Sequence, residues 1–526
     1  MSAFQQLLDH SQKVSHFEHL SAIVGWDQAA VMPSGGAEAR SNAMAELSVH
    51  IHSLMTQPQL GDLFAKAEEE NLSVEQSAVL REMKRDWQQA NLLPESLVQA
   101  QSLAGSKCEH AWRTQRGNND WQGFEKNWAE VVTLSREEAQ IRAEAKGVSA
   151  YDAMLDIYEP GTTTASLDQL FSDVKTWLPS MIDQAIEKQA SGQIQLPNGH
   201  YPAEKQKALG LDVMKLLQFD FEHGRLDESV HPFCGGVPSD VRITTRYDEK
   251  EFVQSLMGIV HETGHARYEQ GLPKAFAGTS AGQARSMGIH ESQSLFFEMQ
   301  LGRSPAFVDH LAQLATNYFQ GNEFNADNLA KIYTRVEKGY IRVDADELTY
   351  PAHVILRYEI ERDLMNGVIK HTDVPELWNE KMKSYLGLST EGNYKNGCMQ
   401  DIHWTEPQRT LNTKNSHPSE SEKKLKKHNY KNGCMQDIHW CTGSFGYFPS
   451  YTLGAMYAAQ FMATMKKKVD VDTAIQNGDL TPIFTWLSDN IWSKGSLLTT
   501  DELVKQATGE TLNPLHFKEH LRNRYL

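Results

Sequence analysis

Apolar residues three and four apart, separated by charged ones, recur along most of this chain and predict helices. The plainest runs are Phe124 to Lys146 and Pro351 to Asn366, where Ala, Glu, Leu, Arg and Lys surround an apolar stripe. Glycine and proline mark the breaks, at Met32-Pro33-Ser34-Gly35-Gly36, Glu159-Pro160-Gly161 and Leu196-Pro197-Asn198-Gly199. Strand patterns are few. The clearest, Val241 to Tyr247, alternates with period two: Val241, Ile243, Thr245 and Tyr247 share one face, and Asp240, Arg242 and Thr244 share the other. Such a strand could offer its edge to an extended peptide. Asp240 and Arg242 could equally form a local ion pair. The expected fold class is mainly α, with a small β-sheet.

Composition narrows the choice of partners. The chain has 526 residues, 40% of them hydrophobic, enough for a large core. Its formal net charge of −17 argues against nucleic acid and against anionic membrane surfaces. No stretch approaches the ~18 consecutive apolar residues of a membrane span. The five cysteines, Cys108, Cys234, Cys398, Cys434 and Cys441, are odd in number and show no framework, which fits reduced thiols in the cytoplasm. The first residues, Met1 to Gln6, lack the charged and apolar regions of a secretory signal.

One segment is unusual. Asn393 to Trp404 recurs unchanged as Asn429 to Trp440. Between the copies, residues 405–428 hold no aromatic residue and two leucines, with six Lys or Arg against three Glu. So little apolar surface predicts a disordered insertion. Identical copies around unrelated filler resemble a recent local duplication rather than a repeat architecture.

The candidate chemistry lies in His261-Glu262-Thr263-Gly264-His265. Histidines four apart on a helix project to the same side, so each can give a metal ion one nitrogen. The glutamate between them can serve as base towards a metal-bound water. Phe252, Leu256, Ile259 and Val260 precede the motif at helical spacing. Gly264 costs this helix about 1 kcal/mol relative to alanine, and a close backbone approach would explain it. A third ligand is needed. Glu291 is the candidate, 26 residues beyond His265, far enough for the helix to end at Gly271, turn and return. His290 is the alternative.

These residues, with their neighbours, resemble the M32 family of metallocarboxypeptidases, the thermostable carboxypeptidase Taq type. The resemblance rests on the five-residue motif with Glu291, on Asp240-Val241-Arg242-Ile243-Thr244 before it, and on His231-Pro232-Phe233. It also rests on Ile341-Arg342-Val343-Asp344-Ala345-Asp346, on Gly433 to Trp440 and its first copy Gly397 to Trp404, and on segments at both ends of the chain. It implies one almost all-helical catalytic unit over residues 1–526, with a deep groove and usually as a homodimer. It implies release of single C-terminal residues from peptides, with broad preference and poor tolerance of proline, using zinc, or cobalt in its place.

The resemblance and the chemistry together assign His261, His265 and Glu291 to the metal and Glu262 to proton transfer. Arg342 would hold the substrate's free carboxylate, with Arg357 in reserve, because a guanidinium binds carboxylate through two parallel hydrogen bonds. His439 and Tyr447 would donate to the oxyanion; a packed aromatic is the other role for Tyr447. Only the second motif copy runs directly into Gly446-Tyr447-Phe448-Pro449-Ser450-Tyr451, so Gln436, Asp437 and His439 are expected at the substrate site rather than Gln400, Asp401 and His403. Asp240, Arg242 and Thr244 complete the expected substrate-binding set. Two rivals stand beside this reading: a helical oligopeptidase that cuts internally or removes dipeptides, and an inactive peptide-binding homologue disabled by the insertion.

Overall fold

The computed structural model describes residues 1–229, 232–389 and 433–526. His231, the first motif copy and the filler at 405–428 lie outside the described residues. Four helices open the chain: α1 (Ala3–Ala30), α2 (Ala37–Met55), α3 (Gln59–Glu68) and α4 (Val74–Leu92). Four more follow: α5 (Glu95–Gly117), α6 (Trp121–Lys146), α7 (Ala150–Tyr158) and α8 (Thr164–Gln189). Then come α9 (Ala203–Leu216), β1 (Gly224–Glu228), β2 (Cys234–Val237), β3 (Asp240–Thr245), α10 (Val253–Gly271) and α11 (Met287–Leu295). A π-helical stretch, Phe296–Gly302, leads to α12 (Pro305–Phe319), α13 (Ala326–Tyr333), α14 (Tyr350–Met365) and α15 (Val374–Leu386). The short helix Ile438–Thr442 and the helix Pro449–Met465 precede four further helical segments and the terminal helix Pro514–Tyr525. The expected mainly α class, with one small sheet, is what the chain adopts.

Local signals place the helix ends. Ser2, Asp120, Ser149 and Thr163 each cap a helix with a side-chain oxygen that accepts a backbone N–H. Gly147 ends α6 in the left-handed region, at φ 70°. The break at residues 32–36 falls between α1 and α2, and that at 159–161 between α7 and α8. No described helix is long and apolar enough to cross a membrane. The four described cysteines are unbridged.

The described chain divides into two compact units. Unit 1 comprises residues 1–92, 192–334 and 453–525; unit 2 comprises 93–191, 335–452 and 526. The sheet belongs to unit 1, in the order β1-β3-β2, with β1 parallel and β2 antiparallel to β3. The alternation expected in β3 holds over residues 240–243, with Val241 and Ile243 fully buried between half-buried Asp240 and Arg242, and ends at Thr244, which is as buried as Thr245. The expected free edge does not hold. β3 is the central strand, paired with β1 over Val241–Thr245 and with β2 over Asp240–Ile243, so its backbone groups are already taken. A peptide cannot add to it. Val241 and Ile243 pack with Leu226, Met214 of α9, and Ile259 and Ala266 of α10, which seats α10 on the sheet.

In unit 2 the core forms around α14, in which every residue from Pro351 to Glu361 is buried. Trp440 anchors the second motif copy there. Its ring stacks on Trp128 at 5.6 Å, its Nε1 donates to Glu361 at 2.7 Å, and its carbonyl accepts from Trp128 Nε1 at 2.9 Å.

Candidate active site

α10 starts where the Glu251 carboxylate accepts from the backbone N–H groups of Val253 (2.6 Å) and Gln254 (3.1 Å). One turn of this helix carries His261 and His265, their ring centroids 5.0 Å apart. The chain ends α10 at Gly271, turns, and returns as α11, whose first turn is capped by the Ser286 hydroxyl accepting from Ile289 N–H at 3.1 Å. The two helices touch at Gly264. A Cβ there would lie 2.6 Å from the Gln293 carbonyl oxygen and 2.7 Å from Ser294 Cα. The glycine is therefore what lets α11 approach closely enough to bring Glu291 to the histidines. Gly454 does the same beside Glu291 itself, where a Cβ would lie 2.8 Å from the glutamate's Cβ.

The three expected ligands converge. Glu291 Oε2 is 3.4 Å from His265 Nε2 and 3.9 Å from His261 Nε2, and the three donor atoms all lie within 4.8 Å of one another. His290, the alternative ligand, does not join them. Its Nδ1 meets His265 Nδ1 at 2.6 Å and its Nε2 meets Glu269 at 2.8 Å. The Glu269 carboxylate can only accept, so His290 donates from Nε2 and accepts at Nδ1. His265 then carries its proton on Nδ1 and frees Nε2 for the metal. His261 is braced more directly, its Nδ1 2.9 Å from Glu298, which Arg303 holds in turn at 2.6 Å. Sequence reading missed Glu269, Glu298 and Gly454. Glu298 lies two helical turns beyond Glu291, so its spacing was a usable signal; Glu269 and Gly454 left none.

Burial opposes charge on His261, yet the Glu291 and Glu298 carboxylates outweigh it and push its pKa up to about 10. Burial, reinforced by His290, drives His265 down to about 4. Burial also raises Glu262 to about 7, whereas Glu291, although buried, is drawn to about 2 by His261 and His265. The residues fit a divalent metal. Two imidazoles and a carboxylate form the protein share of a catalytic zinc site. Beside them, Glu262 Oε2 is buried with no hydrogen-bond partner.

The remaining expected residues fall into two groups. In unit 1, Asp240 and Arg242 form a two-pronged ion pair (2.9 and 2.7 Å), and the Arg242 guanidinium lies 4.4 Å from the centroid of Trp26. Thr244 is fully buried, and its hydroxyl is engaged by Ser229 and by the Phe233 backbone N–H. These side chains tie β3 to the sheet and to Ser229 and Phe233, and the Asp240–Arg242 contact is the local ion pair read as the equal alternative to a substrate contact.

In unit 2, Arg342 donates from Nε to Asp437 Oδ1 (3.1 Å) and from Nη1 to the Tyr350 hydroxyl (2.7 Å). Gln436 Oε1 accepts the Arg342 backbone N–H at 2.9 Å. Arg357 is fully buried, donating to Asp437 Oδ2 at 2.6 Å and to the His353 carbonyl. It holds Asp437 and faces no solvent. Asp437 is held well below the usual carboxylate range because the two arginines outweigh its burial. His439 is pushed down to about 4, first by burial and then by Arg342, so it is neutral near pH 7. Its Nε2 lies 3.2 Å from the Tyr451 hydroxyl, and its ring packs on Tyr447 at 5.3 Å.

Comparison with known proteins identifies the family. The profile of the carboxypeptidase Taq (M32) metallopeptidases matches residues 6–408 and 421–525, broken only within the filler between the motif copies. Metallocarboxypeptidase 1 of Trypanosoma cruzi superposes with a TM-score of 0.91 at 45% identity, covering 99% of each chain. A carboxypeptidase of Pyrococcus furiosus superposes with a TM-score of 0.89 at 30% identity, covering 100% of this chain and 99% of its own. Thermostable carboxypeptidase 1 of Thermus thermophilus is 33% identical over 100% of this chain and 98% of its own. The chain belongs to the carboxypeptidase Taq (M32) family of metallopeptidases, enzymes that hydrolyse peptides.

Proposed function

We propose that the protein releases single C-terminal residues from peptides of varied sequence, with proline poorly accepted, and that the whole chain works as one catalytic unit. The observation that carries the reading is the convergence of His261, His265 and Glu291 with the unpartnered carboxylate of Glu262 beside them. The donor set suits zinc, with cobalt able to replace it. A bound divalent ion would polarise the scissile carbonyl and make water a stronger nucleophile. Glu262 takes a proton from the attacking water at Oε2 and passes it to the leaving amine. Arg342 binds the substrate's free carboxylate. Two guanidinium groups against the one carboxylate of Asp437 leave that cluster with a surplus positive charge for an anion to meet. Gln436 fixes the Arg342 backbone, and His439 and Tyr447 donate to the oxyanion. The reading includes a cytoplasmic homodimer.

Mass spectrometry of an N-blocked peptide incubated with the zinc-loaded protein tests this, with the free acid and the C-terminal amide run in parallel. Stepwise single-residue losses from the free acid alone are expected. Cleavage of the amide, or losses of two residues at a time, would replace the reading with that of an oligopeptidase.

A further inference from the structure

Away from the metal ligands, unit 1 contains an open-mouthed hollow of about 80 Å³, lined by α1, the end of α2, α3, α4 and residues 278–283. Most of its wall surface is apolar, with Leu60, Phe64 and Met83 drawn from the buried core and Met55 and Trp87 beside them, while His10, Ser11, Ser15, Thr279 and Gln283 add polar groups. The segment closing one side is fixed tightly to α1. The Ser11 hydroxyl donates to the Gly278 carbonyl at 2.9 Å, and Gly278 has φ 77° with room for no side chain against Gln12 and Ser15.

Two carboxyl groups line this apolar space, Glu18 from α1 and Asp86 from α4. Asp86 has the Ser280 hydroxyl as a partner, and Arg85 and Arg285 lie near it. Arg285 is itself paired with Glu82 at 3.0 Å. Glu18 has no ion pair among the described residues. Burial raises its pKa, and the Asp86 carboxylate raises it further. An uncompensated carboxylate in an apolar hollow beside a second carboxylate is costly for the chain alone. A cation that brings its own apolar body would reverse that cost.

We propose that this hollow binds a small organic monocation, a primary ammonium on an alkyl or aryl body, with Glu18 and Asp86 taking the ammonium and the apolar walls its body. The ammonium has three donors for the two carboxylates and the Ser280 hydroxyl. The site is independent of peptide hydrolysis and of the metal ligands.

Titration calorimetry on the full-length protein tests it, with phenethylammonium as probe and 2-phenylethanol as the uncharged analogue. Each is run on zinc-loaded and on chelator-treated protein. The amine is expected to bind equally well to both forms, and at least about tenfold more tightly than the alcohol, as hydrogen bonds to charged groups imply. Glu18→Gln and Asp86→Asn should each weaken the amine by about tenfold without lowering the melting temperature. Equal affinity for the alcohol would reduce the hollow to an unspecific apolar cavity. Binding lost on metal removal would place the amine at the metal ligands instead. No binding, or unchanged binding in both folded variants, would equally overturn the proposal.

Discussion

The metal ligands in unit 1 and the arginine cluster in unit 2 are both buried and both braced by hydrogen bonds, but their charges are balanced in opposite ways. Around His261 and His265 stand Glu262, Glu269, Glu291 and Glu298, against one arginine, Arg303. That excess of carboxylate is complete only with a cation. Around Asp437 stand Arg342 and Arg357, with His353 and His439 both driven neutral by burial. That excess is positive. One place is arranged to receive a cation and the other an anion. On the proposed function Glu262 in the first serves chemistry, whereas Asp437 in the second holds the two arginines.

The same isosteric change should therefore have opposite consequences. Glu262→Gln should lower kcat by about 10³-fold or more, as loss of a general base does, while metal content and melting temperature stay near those of the parent. Asp437→Asn should do the reverse first. It leaves two buried guanidinium groups facing each other without a counter-charge, a loss on the order of 3–5 kcal/mol in stability. Urea denaturation and turnover of the two variants, measured side by side, sharpen the contrast. If Asp437→Asn were as stable as the parent, the cluster would not depend on its ion pairs.

The helix contact that delivers Glu291 comes next. Gly264→Ala forces a methyl group onto the α11 backbone and should cost about 1–3 kcal/mol. Gly258 lies two turns earlier on α10, where an added Cβ meets nothing within 4 Å. Gly258→Ala should stabilise the helix, by up to about 1 kcal/mol. Opposite shifts in melting temperature from two Gly→Ala changes in one helix are the expected result.

How much of this could be read from the chain follows the same division. The convergence of His261, His265 and Glu291 was legible because a single helix fixes the spacing of the two histidines, and the return helix needs only length and one acid. Gly264 was legible too, as a residue whose cost demanded a close approach. The bracing residues were less so: Glu298 left a trace in its two-turn spacing from Glu291, whereas Glu269 reaches His265 only through His290, a contact that spacing does not reveal. In unit 2 the periodicity of 351–366 correctly predicted α14, but nothing in it marked its charged positions as buried. Instead Arg357, Glu359 and Glu361 are buried against partners distant in sequence. β3 read correctly as a strand that alternates over residues 240–243, yet pattern alone cannot distinguish a central strand from an edge.

The two histidines offer a finer comparison within the metal site. His261 is held directly by a carboxylate, and His265 through an intervening imidazole. Glu298→Gln should weaken zinc binding by about 10–100-fold, the usual effect of losing a group behind a ligand. Glu269→Gln should weaken it less, because His290 still meets His265 Nδ1. Competition with a chromophoric chelator measures both. A larger loss from Glu269→Gln would mean that the tautomer of His265, rather than the charge behind His261, governs affinity.

A pH-dependent effect belongs to Glu361, which tests whether unit 2 tolerates a buried carboxylate charge that has no ion pair among the described residues. Its oxygens accept from Trp440 Nε1, the Tyr151 hydroxyl and the Gly446 backbone N–H. Burial nevertheless raises its pKa from 4.5 to about 7. Between those two values the folded protein holds a proton that the unfolded chain has released. Its contribution to stability is therefore full below about pH 4.5 and is lost progressively as the pH rises towards 7. The difference in stability between the parent and Glu361→Gln, which cannot titrate, should shift against the parent by about 1–3 kcal/mol between pH 5 and pH 7.5. A difference that stayed constant with pH would mean that the three donors keep Glu361 ionised throughout, and that unit 2 accommodates a buried carboxylate on hydrogen bonds alone.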